Sequence, residues 1–274
     1  MNSIIDTQNT GNSYMTKNYG FTTFTTLSHL PLVQVLIESI LQFSKYKITV
    51  NCINFTHDFE HERISSNTIQ LNPISFNAIC MIKWLSLLNN PYDICAILDS
   101  DMIATKEIDQ LFETNEEKIL KSKYPLFAKH PHNPFTNPIH EEALRNLNKY
   151  FSDNTPKMKW VYACGIVAPH HKEFISEIVS NLSFFYEKGI KSHIEDEGTL
   201  NALLTKYQVC EDIGYNYLPD YKFFKAYIEN NLEDKDLYET YLKNDCPVKF
   251  YLLHGCKNLT EAENIYSQLR RMEK

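Results

Sequence analysis

An α/β fold on a mostly parallel sheet with helices packed against it is predicted by three features of the sequence. Residues 94–98 (Ile-Cys-Ala-Ile-Leu) form an unbroken apolar run behind Pro91. Such a run is too short for an ordinary helix and fits a strand buried on both faces. Residues 19–55 read as strand, helix, strand, which is a βαβ unit and builds parallel pairs through right-handed crossovers. Two acids, Asp99 and Asp101, follow the buried strand at once. Ligands of open α/β sheets gather beyond the carboxyl ends of the strands, where this pair falls.

Residues 1–18 are polar and are expected as a frayed leader; 19–274 read as a single domain, since no linker or repeat divides them. The first strand is 19–26, rich in aromatic and β-branched residues. Leu32, Val33, Leu36, Ile37, Ile40 and Leu41 recur at helical spacing behind Pro31, a residue favoured at helix starts. Ile48, Val50, Ile53 and Phe55 mark a second strand over 47–55, and 64–71 is expected as a short third. A helix over 75–89 is apolar on nearly every side, so burial is expected. Lys83 shares a face with Phe76, Ile79, Cys80 and Leu87. A cation in that setting either snorkels to water or meets an anion.

Residues 107–112 open a short helix, and the proline-dense segment 129–159 reads as a long surface loop of the kind used as a lid or partner surface. His130 and His132 lie in it with no third ligand nearby, and read as surface histidines. A strand is expected over 160–167, with Gly165 allowing close backbone approach. A helix over 172–186 comes next, then a break at Gly189. Ser192 and Glu195 fit a capping box for the next helix, whose buried stripe would be Leu200, Leu203, Leu204 and Tyr207. After an aromatic-rich insertion, 215–241, an apolar strand from 248 ends in His254, with Gly255 and Lys257 just beyond.

Composition narrows the function classes. The 274 residues are 43% hydrophobic and carry a formal charge of −7, with arginine only at 63, 145, 270 and 271. That balance argues against a broad nucleic-acid footprint. Any phosphate grip then falls to lysines, backbone amides or a metal. The basic end, Arg270-Arg271, reads as a solvated helix terminus. Seven cysteines, odd in number and widely spaced without Cys-x-x-Cys, read as reduced core thiols. No apolar run reaches the roughly 18 residues of a spanning helix, and no secretory h-region is visible. A cytoplasmic protein is expected, in which the Asn-x-Ser/Thr triplets at Asn54, Asn181 and Asn258 have no role.

If the strand continues extended, Asp99 and Asp101 point to one side and Ser100 to the other. Like charges so close suit a divalent cation such as Mg²⁺ or Mn²⁺ on a substrate's phosphates; the plain alternative is a polar turn with solvated acids. Acids at a helix start, as Asp196 and Glu197 are, ordinarily answer the helix dipole. A lone histidine at a strand end, as His254 is, is ordinarily structural.

The motifs in order resemble the glycogenin-like family of retaining, metal-dependent glycosyltransferases. Leu98-Asp99-Ser100-Asp101 with Ile108-Asp109-Gln110-Leu111-Phe112 is similar to that family's Leu-Asp-x-Asp and following Leu-Phe. Tyr162-Ala163-Cys164-Gly165-Ile166-Val167 resembles its Phe-Asn-x-Gly-Val, Asp196-Glu197-Gly198-Thr199-Leu200-Asn201 its Asp-Gln-Gly-x-Leu-Asn, and His254 to Lys257 its terminal His and Lys. The resemblance spans about residues 19–258. It implies the GT-A fold, a Rossmann-like mixed, mostly parallel sheet flanked by helices, and transfer of a hexose from a nucleotide-sugar donor, a UDP-sugar, to an acceptor that the residues do not name.

On that resemblance Asp99, Asp101 and His254 would hold Mn²⁺ or Mg²⁺. Lys83, Asp99, Ser100, Asp101, Gly255 and Lys257 would meet the donor, and Lys83, Asp196 and Glu197 would flank the reacting sugar. Three departures stand out. Ala163 replaces an Asn, Glu197 replaces a Gln, and His254-Gly255-Cys256-Lys257 is a compressed form of the family's spacing. Glu197 either stabilises an oxocarbenium-like carbon or attacks it. Two other readings stay open: a catalytically silent sugar- or protein-binding module on the same fold, and a Mg²⁺-dependent nucleotidyltransferase, for which residues 22–31 lack the Gly-rich basic loop. A homo-oligomer is also left open.

Overall fold

The computed structural model describes residues 17–72, 76–129, 161–188, 195–207, 209, 214–215, 252–253 and 255–271. Residues 1–16 of the expected leader, 130–159 of the expected loop, Trp160, the Ser192 cap, most of the 215–241 insertion and His254 lie outside the described residues.

The first unit is β1 (Tyr19–Thr26), α1 (Leu30–Phe43) and β2 (Lys47–Ile53), preceded at α1 by a single 3₁₀ turn, Leu27–His29. β1 and β2 are parallel from Gly20↔Lys47 to Thr26↔Ile53, as the βαβ pattern requires. β2 stops two residues short of the expected end. Asn54 turns to a φ of 61°, and its side-chain amide closes two bonds with the Leu71 backbone, each 2.6 Å. Asparagine tolerates that left-handed conformation better than the β-branched residues before it. β3 (Ile64–Ile69) adds a parallel edge strand whose middle residues are exposed.

α2 (Phe76–Leu88) is buried through Ala78, Cys80, Ile82, Trp84 and Leu87, as its unpatterned apolar content demands, and it packs on β1 and on β4 (Ile94–Ile97). The remaining elements are β5 (Ile103–Ala104), α3 (Gln110–Glu113), α4 (Glu116–Lys121), β6 (Leu126–Lys129), β7 (Val161–Val167), α5 (Lys172–Glu187), α6 (Glu195–Lys206), β8 (Gly214–Tyr215), β9 (Leu252–Leu253) and α7 (Leu259–Arg271). The main sheet has the order β3-β2-β1-β4-β7-β6-β8. β3, β2, β1 and β4 run parallel; β7 runs against both β4 and β6. The architecture is therefore a mixed, mostly parallel sheet flanked by helices, as expected.

The antiparallel course of β7 brings its first residues to the edge of the sheet formed by the carboxyl ends of the parallel strands. Its register with β4 is Cys95↔Val167 and Ala96↔Ile166, so the beginning of β7 lies beside the carboxyl end of β4. Gly165 is required there: a Cβ would sit 2.9 Å from the Phe127 ring of β6. α6 is fastened to the same end of β7 by Asn201, which donates to Val161 O at 2.9 Å and accepts from Val161 N at 3.1 Å. A second, smaller apolar cluster forms where β5 pairs with β9 and α7 packs on α1 through Val35, Ile103, Leu253, Ile265 and Leu269.

Two expectations need correction. Tyr207 is not part of the buried stripe of α6: it lies past the last turn, is exposed, and its hydroxyl donates to Glu177. Lys129, expected at the head of a loop, is the last residue of β6. Leu200, Leu203 and Leu204 are buried as expected, and Cys52, Cys80, Cys95, Cys164 and Cys256 are buried free thiols. Arg270 and Arg271 are exposed at the end of α7.

Candidate active site

A cavity of about 370 Å³ opens beyond the carboxyl ends of β1 and β4. It is lined by Phe24, His29, Leu32, Ile79, Cys80, Lys83, Asp99, Ser100, Asp101, Tyr162, Ala163, Cys164, Asp196, Glu197 and Lys257. Nearly all the described residues expected at a site, drawn from four separate stretches of sequence, meet there. Gly255 stands two residues before Lys257 rather than in the wall.

The acids are not arranged as an extended strand would place them. β4 ends at Ile97, and Met102 N donates to Asp99 O at 3.2 Å, so residues 99–102 make a turn. Ser100 consequently lines the cavity with its two neighbours instead of facing away. The turn is tied down from the other side by Cys256, whose N–H donates to Asp101 O at 3.1 Å. Gly255 just before it has φ of 80°, a conformation glycine adopts without strain, and this bend carries Lys257 to the cavity wall.

Lys83 settles the choice its helix left open. It does not snorkel: its side chain is 6% exposed, and its Nζ lies 2.8 Å from Asp99 Oδ1 and 3.2 Å from Asp196 Oδ2. Burial alone would favour the neutral amine, but Asp99 and Asp196 outweigh it and hold the pKa well above the usual lysine value. The other Asp99 oxygen, Oδ2, accepts from the Cys164 thiol at 3.1 Å. Burial first and Asp99 second push that thiol's pKa well up, so Cys164 is a neutral donor. Asp196 Oδ1 accepts the backbone N–H of the next residue, Glu197, at 2.9 Å within the first turn of α6, while Oδ2 serves Lys83. Asp196 therefore does more than answer the helix dipole: one of its oxygens is an ion-pair partner of Lys83.

Asp101 is pushed up to about 6, by burial and then by Asp99, with Lys257 and Lys83 pulling the other way. At neutral pH the four carboxylates Asp99, Asp101, Asp196 and Glu197 face the two ammonium groups Lys83 and Lys257. The wall therefore carries a formal excess of two negative charges, which a divalent cation beside the Asp99–Asp101 turn would balance. An incoming anionic ligand would need that balance all the more. Among the described residues no three His, Cys, Asp or Glu side chains already converge on one point, and the third expected ligand, His254, lies outside them. The donor set offered is hard carboxylate oxygen, which suits Mg²⁺ or Mn²⁺.

Sequence reasoning passed over His29, Phe24 and Cys164. His29 comes after β1, with Nδ1 2.8 Å from Thr26 Oγ1 and 3.2 Å from Ser28 Oγ. The rule that ligands collect beyond strand ends applied to β1 as well as to β4 and would have flagged it. Cys164 read as a core thiol because its apolar neighbours say nothing of strand direction, and only the antiparallel course of β7 brings it to Asp99.

No family model and no curated protein matches the sequence. Solved structures do. The galactosyltransferase LgtC, in complex with donor and acceptor sugar analogues, superposes with a TM-score of 0.58 at 12% identity, over 92% of this chain and 95% of that one. An active-site Gln-to-Glu mutant of LgtC gives a TM-score of 0.59 at the same identity and coverage. At that identity the likeness speaks to architecture, and the architecture is the GT-A fold.

Proposed function

We propose that this protein is a glycosyltransferase that moves a hexose from a UDP-sugar to an acceptor hydroxyl, with a divalent cation and with retention of anomeric configuration, in the manner of the glycogenin-like family. The observation that carries the proposal is Lys83: a buried ammonium shared by Asp99 and Asp196 on the wall of a cavity at the carboxyl edge of the sheet. Such a costly cluster is more readily kept for a ligand than for stability, because a buried ion pair stabilises little over an apolar replacement. The galactosyltransferase fold and the ordered motifs support the same reading.

In this reading Lys257 and the Asp99–Asp101 turn face the donor's diphosphate, and Lys83, Asp196 and Glu197 face its sugar. Asp99, Asp101 and His254 would hold Mn²⁺ or Mg²⁺. When bound, the cation supplies positive charge to the departing diphosphate. Lys257 adds a second charge on that side, where preorganised charge counts most because water is excluded. Lys83 holds Asp196 in place as an acceptor for sugar hydroxyls. The identity of the acceptor rests with the loops around the cavity, and water takes the sugar slowly when no other acceptor is present.

The test is UDP release from UDP-glucose, UDP-galactose and UDP-N-acetylglucosamine with MnCl₂, for the wild type and Asp101→Ala. At least one donor is expected to turn over, and the variant to fall on the order of 10²-fold or more. Equal rates in the two proteins would remove the proposal.

A further inference from the structure

Asp99 is held from two sides. Lys83 on α2 takes its Oδ1 at 2.8 Å, and the Cys164 thiol on β7 donates to its Oδ2 at 3.1 Å. Cys95 and Cys256, also buried, bond at longer range to carbonyls close by in sequence, Ala96 O at 3.9 Å and Asn258 O at 3.8 Å. The Cys164 thiol instead reaches a charged side chain 65 residues away. A hydrogen bond to an ionised acceptor is shorter and stronger than one between neutral groups.

The frame under this contact is fixed. Leu98, just before Asp99, donates to Thr22 O at 2.9 Å and accepts from Thr23 Oγ1 at 2.8 Å, so β1 holds the backbone where the acid begins. The β4–β7 register, Cys95↔Val167 and Ala96↔Ile166, carried two residues further sets Cys164 opposite Leu98. On one side of Cys164, Gly165 packs so closely on the Phe127 ring that a Cβ would meet it at 2.9 Å; on the other, Asn201 clasps Val161. Cys164 is 3% exposed and lines the cavity. A carboxylate offers about four lone-pair positions on its two oxygens. One donor leaves it able to swing about its Cβ–Cγ bond, whereas a second on the other oxygen, from a different element, sets its plane. The Asp99 side chain stays 31% exposed, so the rest of it opens on the cavity beside Ser100 and Asp101.

We infer that Cys164 is a positioning residue: together with Lys83 it fixes the plane of the Asp99 carboxylate, so that this acid meets the divalent cation of a bound nucleoside diphosphate without reorganising. This deepens the donor reading above and rests on it. The resemblance does not supply the residue, since the family motif leaves the position of Cys164 open. Groups that orient a metal ligand in this way are worth about 10- to 100-fold in metal affinity.

The experiment titrates MnCl₂ into the full chain saturated with UDP, read by calorimetry and by the electron-spin resonance of Mn²⁺, for the wild type, Cys164→Ala, Cys164→Ser and Cys52→Ala. Cys164→Ala is expected to bind Mn²⁺ about 10- to 100-fold more weakly. Cys164→Ser should recover most of that loss, because a hydroxyl donates where a methyl cannot. UDP affinity in EDTA should be the same in the wild type and Cys164→Ala. Cys52 is a comparably buried thiol on β2, and its truncation removes similar packing but should leave Mn²⁺ affinity at the wild-type value. Should Cys164→Ala fail to melt cooperatively, Cys164→Val, which fills the space without a donor, takes its place with the same expectations. Wild-type Mn²⁺ affinity in Cys164→Ala, an equal loss in the alanine and serine variants, or an equal loss in Cys52→Ala would each overturn the inference. A wild type that binds Mn²⁺ with UDP regardless of Cys164 sinks this step alone; one that binds UDP neither with Mn²⁺ nor without it sinks the donor reading too.

Discussion

Replacing Lys83 by methionine keeps the volume and removes the charge, so it measures what the ammonium does for the fold and the site together. In the native protein Nζ is buried and bonded to Asp99 at 2.8 Å and Asp196 at 3.2 Å. Without it both carboxylates remain in the wall with no cation between them, and removing one partner of a buried pair costs about 3–5 kcal/mol. For a chain of this size that is on the order of 10 °C in melting temperature. The cost should be largest at neutral and alkaline pH. The cost is that of carboxylate charge left buried without its cation. Urea unfolding of Lys83→Met across pH 4–8 reads this directly. A triple variant, Lys83→Met with Asp99→Asn and Asp196→Asn, should recover much of the loss, because neutral partners need no cation. Lys83→Met within about 1 kcal/mol of the wild type at pH 7, with no coupling to the two amides, would refute the reasoning; that is the scale of an exposed pair.

Local geometry sets three further expectations. His171 is buried, with Nδ1 accepting from Ala168 N at 3.1 Å and Nε2 donating to Ser122 O at 3.0 Å, so only the neutral imidazole satisfies both neighbours. Burial pulls its pKa down to about 4 from 6.5, so stability should be lost as pH falls from about 6.5 toward 4, by about 3 kcal/mol in all; His171→Gln should flatten that limb in pH-dependent urea unfolding, and an unchanged limb would contradict the assignment. Gly255→Ala places a Cβ on a φ of 80°, a strain of about 1–2 kcal/mol, and should raise the KM for donor more than it lowers kcat by displacing Lys257. Asn201→Ala removes the two bonds to Val161 that hold α6 on β7 and one to Glu197 O within α6, and should cost about 1–3 kcal/mol in chemical denaturation while lowering kcat.

Much of the fold was legible because its central strands are buried on both faces and its helices are either cleanly amphipathic or wholly apolar. β1, α1, α2, β7 and α5 fall within a residue or two of where periodicity puts them. What escaped depends on distant partners. β5 is a two-residue strand that exists only through its pairing with β9, which falls inside the strand expected from 248, and β6 is a four-residue strand with no alternation of its own. The direction of β7 is likewise set by its neighbours rather than by its own residues. In the site, Lys83 was visible as a cation among apolar neighbours and Asp99 and Asp101 as acids just after a buried strand, whereas Asp196, by itself an acid answering a helix dipole, was drawn in only by the family resemblance. Ser100 was misplaced by assuming an extended strand where a turn begins, and Cys164 and His29 carried no local sign because their roles come from strand direction and from the edge of β1.

The central claim, that this cavity takes the diphosphate of a nucleotide sugar together with a divalent cation, is tested most directly by calorimetric titration of UDP into the full chain. Titrations with MnCl₂ and with EDTA, for the wild type, Asp101→Asn and Lys257→Met, suffice. UDP should bind the wild type with one site in Mn²⁺, at least about tenfold more weakly in EDTA and in each variant, a difference of about 1.4 kcal/mol. Binding that is the same with and without the cation and indifferent to both substitutions, or no binding in any condition, would contradict the account.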